Sequence, residues 1–202
     1  MINAKQITAL CMPILLLVTM YPIFQLLARK FGKSAAWYSG LVIYWIIWGV
    51  MFPFLLLGNN AVMNLLRPPK IEWYALLLAS IPILFSISGR IFLRIKYEKA
   101  TVWALLALLI TALGNGFFEE LLWRGTYLSL FPESILYQMI WPSLGFALWH
   151  YAPGSVSQSG KVWRLMAGAL FLGLFLSLLA RQTDTIWWSI FAHTVAGIVL
   201  VI

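Results

Sequence analysis

The residues best suited to chemistry are two adjacent glutamates, one arginine and the only two histidines of the chain. Glu119, Glu120 and Arg124 share one apolar stretch, while His150 and His193 lie in two later apolar stretches. Ionisable groups at membrane depth cost at least a few kcal/mol, so they usually face a cavity or pair with one another. Carboxylates and imidazoles held in this way can move protons, which indicates hydrolytic chemistry.

The spacing of the charged residues predicts their partners. Glu120 and Arg124 are four residues apart, so on a helix they share one face and can form an ion pair. Glu119 is rotated by about 100° from Glu120 and points elsewhere, so the two carboxylates can hold different protonation states. Both glutamates could instead cap a helix that ends at Leu122, but the apolar pattern resumes at once and favours a helix that runs to Pro132.

The two histidines complete a possible hydrolytic site. A glutamate or a histidine can deprotonate water, and a second histidine can donate to the oxyanion that develops on a peptide carbonyl. We therefore expect Glu119, His150 and His193 to share one intramembrane site and to work without a cofactor. The same donors also suit zinc, and the sequence does not separate metal-activated water from glutamate-activated water.

The elements that position these groups are expected to be transmembrane helices. Of the 202 residues, 62% are hydrophobic and 10% charged, and the mean hydropathy is +0.90. Soluble domains carry about a quarter charged residues, so lipid must cover much of this chain. The fold class predicted is all-α, a polytopic bundle with about seven spans near 20 residues long. The spans are Ile7–Leu27, Ala35–Leu57, Ile71–Ser88, Thr101–Leu130, Ser134–His150, Trp163–Ala180 and Ile186–Ile202.

The charges outside the spans predict topology rather than a binding partner. The net charge of +8 reflects only six acidic residues, and the basic residues lie mainly in short loops, so we expect no nucleic-acid partner. Nine basic residues on one side against four on the other favour the first side as cytoplasmic. The nine are Arg29, Lys30, Lys33, Arg90, Arg94, Lys96, Lys99, Lys161 and Arg164, and the four are Lys5, Arg67, Lys70 and Arg181.

Three short motifs occur in order on successive predicted helices. They are Glu119-Glu120-x-x-x-Arg124, Phe146-x-x-x-His150 and the late-chain His193. Together they resemble the CAAX protease and bacteriocin-processing (CPBP, or Abi) family of intramembrane glutamic endopeptidases, over about residues 95–202. The resemblance implies that Glu119 and His150 position and activate the attacking water, and that His193 helps to stabilise the oxyanion. It also implies that Glu120 and Arg124 support the site.

One position departs from the pattern of that family. The family's last motif usually carries an asparagine four residues after the histidine, and here that position is Gly197. A second oxyanion donor from that position is therefore absent. Asn115, one turn before Glu119, is a polar residue nearby that could replace it, although its predicted helix differs from that of Gly197.

The sequence predicts one structural domain, with N-terminal transmembrane helices at residues 1–94 and a CPBP-like catalytic core at residues 95–202. We expect an intramembrane endopeptidase, in the lipid bilayer of a bacterial inner membrane, that cleaves a membrane-anchored protein or peptide. Substrates implied by the resemblance include prenylated CAAX proteins, secreted peptides and C-terminally anchored surface proteins. Two alternatives are a catalytically silent binding or immunity protein with the same fold, which Gly197 supports, and a small proton-linked transporter.

Overall fold

A computed structural model describes residues 2–67, 69–92, 101–157 and 161–201. The described residues form helices and contain no strand, which confirms the all-α prediction. The eight helices of five or more residues in the described chain are α1 (Ala4–Phe31), α2 (Lys33–Leu57), α3 (Asn59–Leu65), α4 (Trp73–Phe92), α5 (Val102–Leu130), α6 (a π-helical segment Leu136–Ile140 followed by Trp141–Trp149), α7 (Val162–Thr183) and α8 (Trp187–Val201). A helix of four residues, Tyr151–Gly154, follows α6.

Five of these helices, α1, α2, α4, α5 and α7, are long and apolar enough to cross a membrane. They match the first, second, third, fourth and sixth predicted spans. The predicted spans Ser134–His150 and Ile186–Ile202 are helical but shorter, as α6 and α8. The boundary between residues 94 and 95 lies outside the described residues, as do Ile202 and the topology residues Arg94, Lys96 and Lys99.

Helix α5 carries both glutamates and runs unbroken from Val102 to Leu130, so the shorter helix ending at Leu122 is excluded. The helix is not a regular α-helix along its whole length, although the prediction from residue spacing treated it as one. Two π-helical segments, Asn115–Glu119 and Leu121–Gly125, flank Glu120. Such π segments are rare, and they occur frequently at functional sites because they redirect side chains.

The small residues of α7 allow close packing against α6. A side chain added to Gly173 would lie 3.2 Å from the Ser143 Cα atom, and the hydroxyls of Ser143 and Ser177 are 3.4 Å apart. Close contacts of this kind stabilise helix pairs in membranes, where no hydrophobic effect drives helices together. They fix α7 beside the helix that carries His150.

Helix α8 approaches α5 in the same manner. A methyl group on Gly116 would collide with the Thr194 hydroxyl, and one on Gly197 would lie 3.3 Å from the Ala112 Cβ atom. Only glycine lets the two backbones come this close. This approach brings His193, on α8, to the glutamates of α5.

Candidate active site

The Glu119 carboxylate is buried, with 1% of the residue exposed, and only one of its oxygens has a hydrogen-bond partner. Its Oε1 atom accepts a hydrogen bond of 2.9 Å from the Trp149 indole nitrogen of α6. Its Oε2 atom has no hydrogen-bond partner among the described residues and lies 3.7 Å from His193 Nε2. A buried carboxylate oxygen left without a donor is unusual, because such oxygens normally find a partner.

Glu120 and Arg124 form the ion pair that the sequence predicted. Arg124 donates from one terminal nitrogen to Glu120 Oε1 at 2.9 Å and from the other to the Gly173 carbonyl at 3.2 Å. The guanidinium also lies over the Phe146 ring, 4.6 Å from its centroid. Both charged residues are completely or almost completely buried, so each depends on the other for compensation.

His193 joins the two glutamates. Its Nδ1 atom lies 2.8 Å from Glu120 Oε1, and because a carboxylate paired with arginine can only accept, Nδ1 carries the hydrogen. Its Nε2 atom faces Glu119 Oε2. Glu119 has a hydrogen-bond partner different from that of Glu120, as the spacing predicted, but the two carboxylates meet the two nitrogens of the same imidazole ring.

His150 lies at the C-terminal end of α6 and is partly exposed. Its Nδ1 atom donates to the Phe146 carbonyl at 2.7 Å, which leaves Nε2 as the atom available for chemistry. The Phe146 ring contacts both imidazoles edge to face, with centroids 4.6 Å from His150 and 5.9 Å from His193. Among the described residues, His150 makes no hydrogen bond to Glu119. The Phe146 ring lies between the two histidines in the sense that it contacts both imidazoles.

A family model described as "Type II CAAX prenyl endopeptidase Rce1-like" matches residues 101–199, a range that includes all five candidate residues. Over these residues the chain matches the CAAX protease family. No curated protein and no solved structure matches the chain. This match, with five helices able to cross a membrane, supports an integral multi-pass membrane protein of the CAAX protease type.

The charges in this CAAX protease site balance with one additional proton. The two carboxylates carry two negative charges, and Arg124 carries one positive charge. One proton held by either Glu119 or His193 brings the buried group to neutrality. A neutral total is favoured where little water is present to solvate excess charge. The two atoms that could share such a proton, Glu119 Oε2 and His193 Nε2, lie 3.7 Å apart.

Sequence reasoning did not identify Trp149 or Tyr44 as part of the site. Trp149 is fully buried and stacks on the Tyr44 ring with centroids 3.9 Å apart, and the Tyr44 hydroxyl accepts a hydrogen bond from Trp123. Both residues look like ordinary apolar positions in a membrane helix. The only available signal was that Trp149 directly precedes His150.

Both positions considered for the second oxyanion donor are engaged in contacts between helices. Gly197 lies against Ala112, which is seven residues before Glu119 on α5. The side-chain oxygen of Asn115 accepts a hydrogen bond of 3.0 Å from Trp45 of α2. Where the CAAX protease family usually carries an asparagine, this chain carries a glycine that packs against another helix.

In the described parts of the chain, no group of three His, Cys, Asp or Glu side chains is arranged to hold a metal ion. The donors nearest to such a group are Glu119, Glu120 and His193. Glu120 and the Nδ1 atom of His193 are already engaged with each other. The absence of a cofactor stays a prediction.

Proposed function

We propose that this protein is an intramembrane endopeptidase that hydrolyses a peptide bond of a membrane-anchored or lipid-proximal substrate through water activated by Glu119. The observation that carries the proposal is the Glu119 Oε2 atom, which is buried, lacks a hydrogen-bond donor and lies 3.7 Å from His193 Nε2. A water placed about 2.8 Å from each of these two atoms would bridge them. The match to CAAX prenyl endopeptidases supports the same chemistry.

The reaction begins with Glu119 ionised and the balancing proton on His193. Water attacks the carbonyl carbon of the substrate while Glu119 takes one of its protons, and the carbonyl oxygen becomes an oxyanion. The carbon–nitrogen bond then breaks, and the proton held by Glu119 passes to the departing nitrogen. One fragment leaves with a new carboxyl group and the other with a new amine.

The remaining residues stabilise the charges that form during this reaction. His193, protonated on both nitrogens, donates from Nε2 to the oxyanion while its Nδ1 hydrogen stays on Glu120. Arg124 compensates the Glu120 carboxylate, so the pair orients the imidazole without adding net charge. His150 contributes its Nε2 atom to holding the water, since its Nδ1 hydrogen is fixed on the Phe146 carbonyl.

The surroundings of the site support a substrate that approaches from lipid. Large apolar side chains are exposed along the spanning helices, and such surfaces are covered by acyl chains in a membrane. The description of the matching family supports a prenylated C-terminal segment as the first substrate to test. We place the enzyme as a multi-pass protein in a bacterial cell membrane.

The proposal is tested with the purified full chain in liposomes. The probes are an internally quenched farnesylated peptide with a CAAX ending and a peptide with a C-terminal hydrophobic span, and mass spectrometry locates the cut. We expect cleavage near the anchored end by the wild type, none by Glu119→Ala, and wild-type cleavage by Glu133→Ala, which alters an exposed glutamate. Cleavage of neither probe by the wild type contradicts the proposal.

A further inference from the structure

The orientation of the Glu119 carboxylate depends on a residue outside the five candidates. Trp149 donates from its indole nitrogen to Glu119 Oε1 at 2.9 Å. The two residues are on different helices, α6 and α5. Among the described side chains this is the one hydrogen bond that Glu119 makes, and it occupies one oxygen only.

The indole itself is held rigidly. Trp149 has no exposed surface, and its ring stacks on Tyr44 at 3.9 Å and contacts Phe24 at 6.0 Å between centroids. An aromatic ring fixed on two sides can rotate very little in a close-packed interior. The direction of its N–H bond is therefore set by α1 and α2, which the family match does not include.

A carboxylate has two equivalent oxygens and rotates unless something distinguishes them. The N–H of Trp149 selects Oε1, and Oε2 is then turned toward His193 Nε2. A hydrogen bond to an ionised acceptor is about twice as strong as one between neutral groups. The hydrogen bond from Trp149 thus holds Glu119 Oε2, the oxygen that takes the proton in the proposed reaction, beside the water and the His193 imidazole.

We propose that Trp149 is a positioning residue for the hydrolysis: its indole N–H fixes the Glu119 carboxylate so that Oε2 faces His193. This inference rests on the proposed function, because it requires Glu119 to act as the base. It assigns to the N-terminal helices a part in catalysis, since Tyr44 of α2 and Phe24 of α1 hold the indole in place.

The test removes the N–H and keeps the ring. Trp149→Phe deletes the donor, and replacement of Trp149 by benzothienylalanine, in which sulfur takes the place of the N–H, deletes it without changing the shape of the side chain. The control is Trp141→Phe on the same helix, which deletes an indole N–H that makes no hydrogen bond to Glu119 in the described structure. Turnover, KM and melting temperature are measured on the probe that the wild type cleaves.

We expect both Trp149 variants to lose about tenfold in kcat, equivalent to about 1.4 kcal/mol, with KM unchanged. The benzothienylalanine protein should keep the wild-type melting temperature, and Trp141→Phe should keep the wild-type kcat. Wild-type kcat in the folded benzothienylalanine protein overturns the inference about Trp149 but leaves the proposed function standing. Wild-type kcat in Glu119→Gln overturns the proposed function instead, so the two failures are distinguishable.

Discussion

Glu120 and His193 lie on different helices and are joined by a hydrogen bond of 2.8 Å between Oε1 and Nδ1. The same oxygen accepts from Arg124 at 2.9 Å. A single carboxylate atom therefore connects the positive charge of α5 with the imidazole of α8. In the proposed mechanism the two adjacent glutamates therefore have separate roles: Glu120 orients His193, and Glu119 reacts with the water.

The charge of Glu120 is expected to matter beyond its hydrogen bonds. Glu120→Gln keeps an oxygen that can accept from His193 but removes one of the two negative charges that together balance Arg124 and the protonated ring. We expect kcat to fall at least tenfold, or about 1.4 kcal/mol, because the buried site is left with an excess positive charge that disfavours protonation of His193. Initial rates at saturating probe measure the effect, and an unchanged kcat would show that the Glu120 carboxylate only accepts hydrogen bonds.

Arg124 is expected to contribute to stability as well as to activity. Arg124→Ala leaves the Glu120 carboxylate buried without a cation, and breaking a buried pair typically costs about 3–5 kcal/mol. We expect a lower melting temperature in detergent, whereas Arg29→Ala, at an exposed position, should have no effect. The double variant Glu120→Gln with Arg124→Ala should lose less than the sum of the single losses, since the residues are in contact. Additive losses would contradict the pairing.

Gly116 is expected to be essential for the approach of α8 to α5. Gly116→Ala places a methyl group against the Thr194 hydroxyl, and overpacking of this kind typically costs about 1–3 kcal/mol. Both melting temperature and turnover should fall, because the contact brings His193 to Glu119. Adding Thr194→Ala should restore part of the lost melting temperature and part of the lost turnover. Gly168→Ala, where nothing lies within 4 Å, serves as the control, and an equal loss there would refute the explanation.

Gly197→Asn tests whether the asparagine usual in the family would help here. In a site with an open position it would add an oxyanion donor and raise turnover. The structure instead directs the new Cβ atom to 3.3 Å from Ala112, so we expect a lower melting temperature and no gain in turnover. Ala112→Gly in the same chain should recover the stability. Faster turnover with unchanged melting would mean that position 197 reaches the oxyanion.

The sequence predicted the fold well because hydropathy alone decides which segments enter lipid. The continuous helix α5 followed from the apolar residues on both sides of the glutamates. Helices α6 and α8 begin and end within two residues of the predicted spans, but both are shorter than the five long apolar helices. The pairing of Glu120 with Arg124 was predictable because both residues lie on one helix, four positions apart.

The rest of the site depends on contacts between different helices, which no local sequence pattern predicts. The two glutamates have different hydrogen-bond partners, Trp149 and Arg124, but His193 contacts both, and its position on another helix cannot be read from spacing along α5. Trp149 was missed because an aromatic residue in an apolar helix is ordinary, and its role appears only when the indole meets a carboxylate of another helix. The direction of Gly197 likewise follows from the packing of α8 on α5 and not from its distance to His193 along the chain.

The central claim is that Glu119 activates the water, and Glu119→Gln tests it most directly. Glutamine has nearly the shape of glutamate and can still accept the Trp149 hydrogen bond, but it cannot take a proton from water. The measurement is the single-turnover cleavage rate of the probe in liposomes, with melting temperature to confirm folding. Because general-base catalysis contributes about 10²–10⁴-fold, the account predicts at least a hundredfold lower rate at wild-type stability. Cleavage by folded Glu119→Gln at the wild-type rate would contradict it.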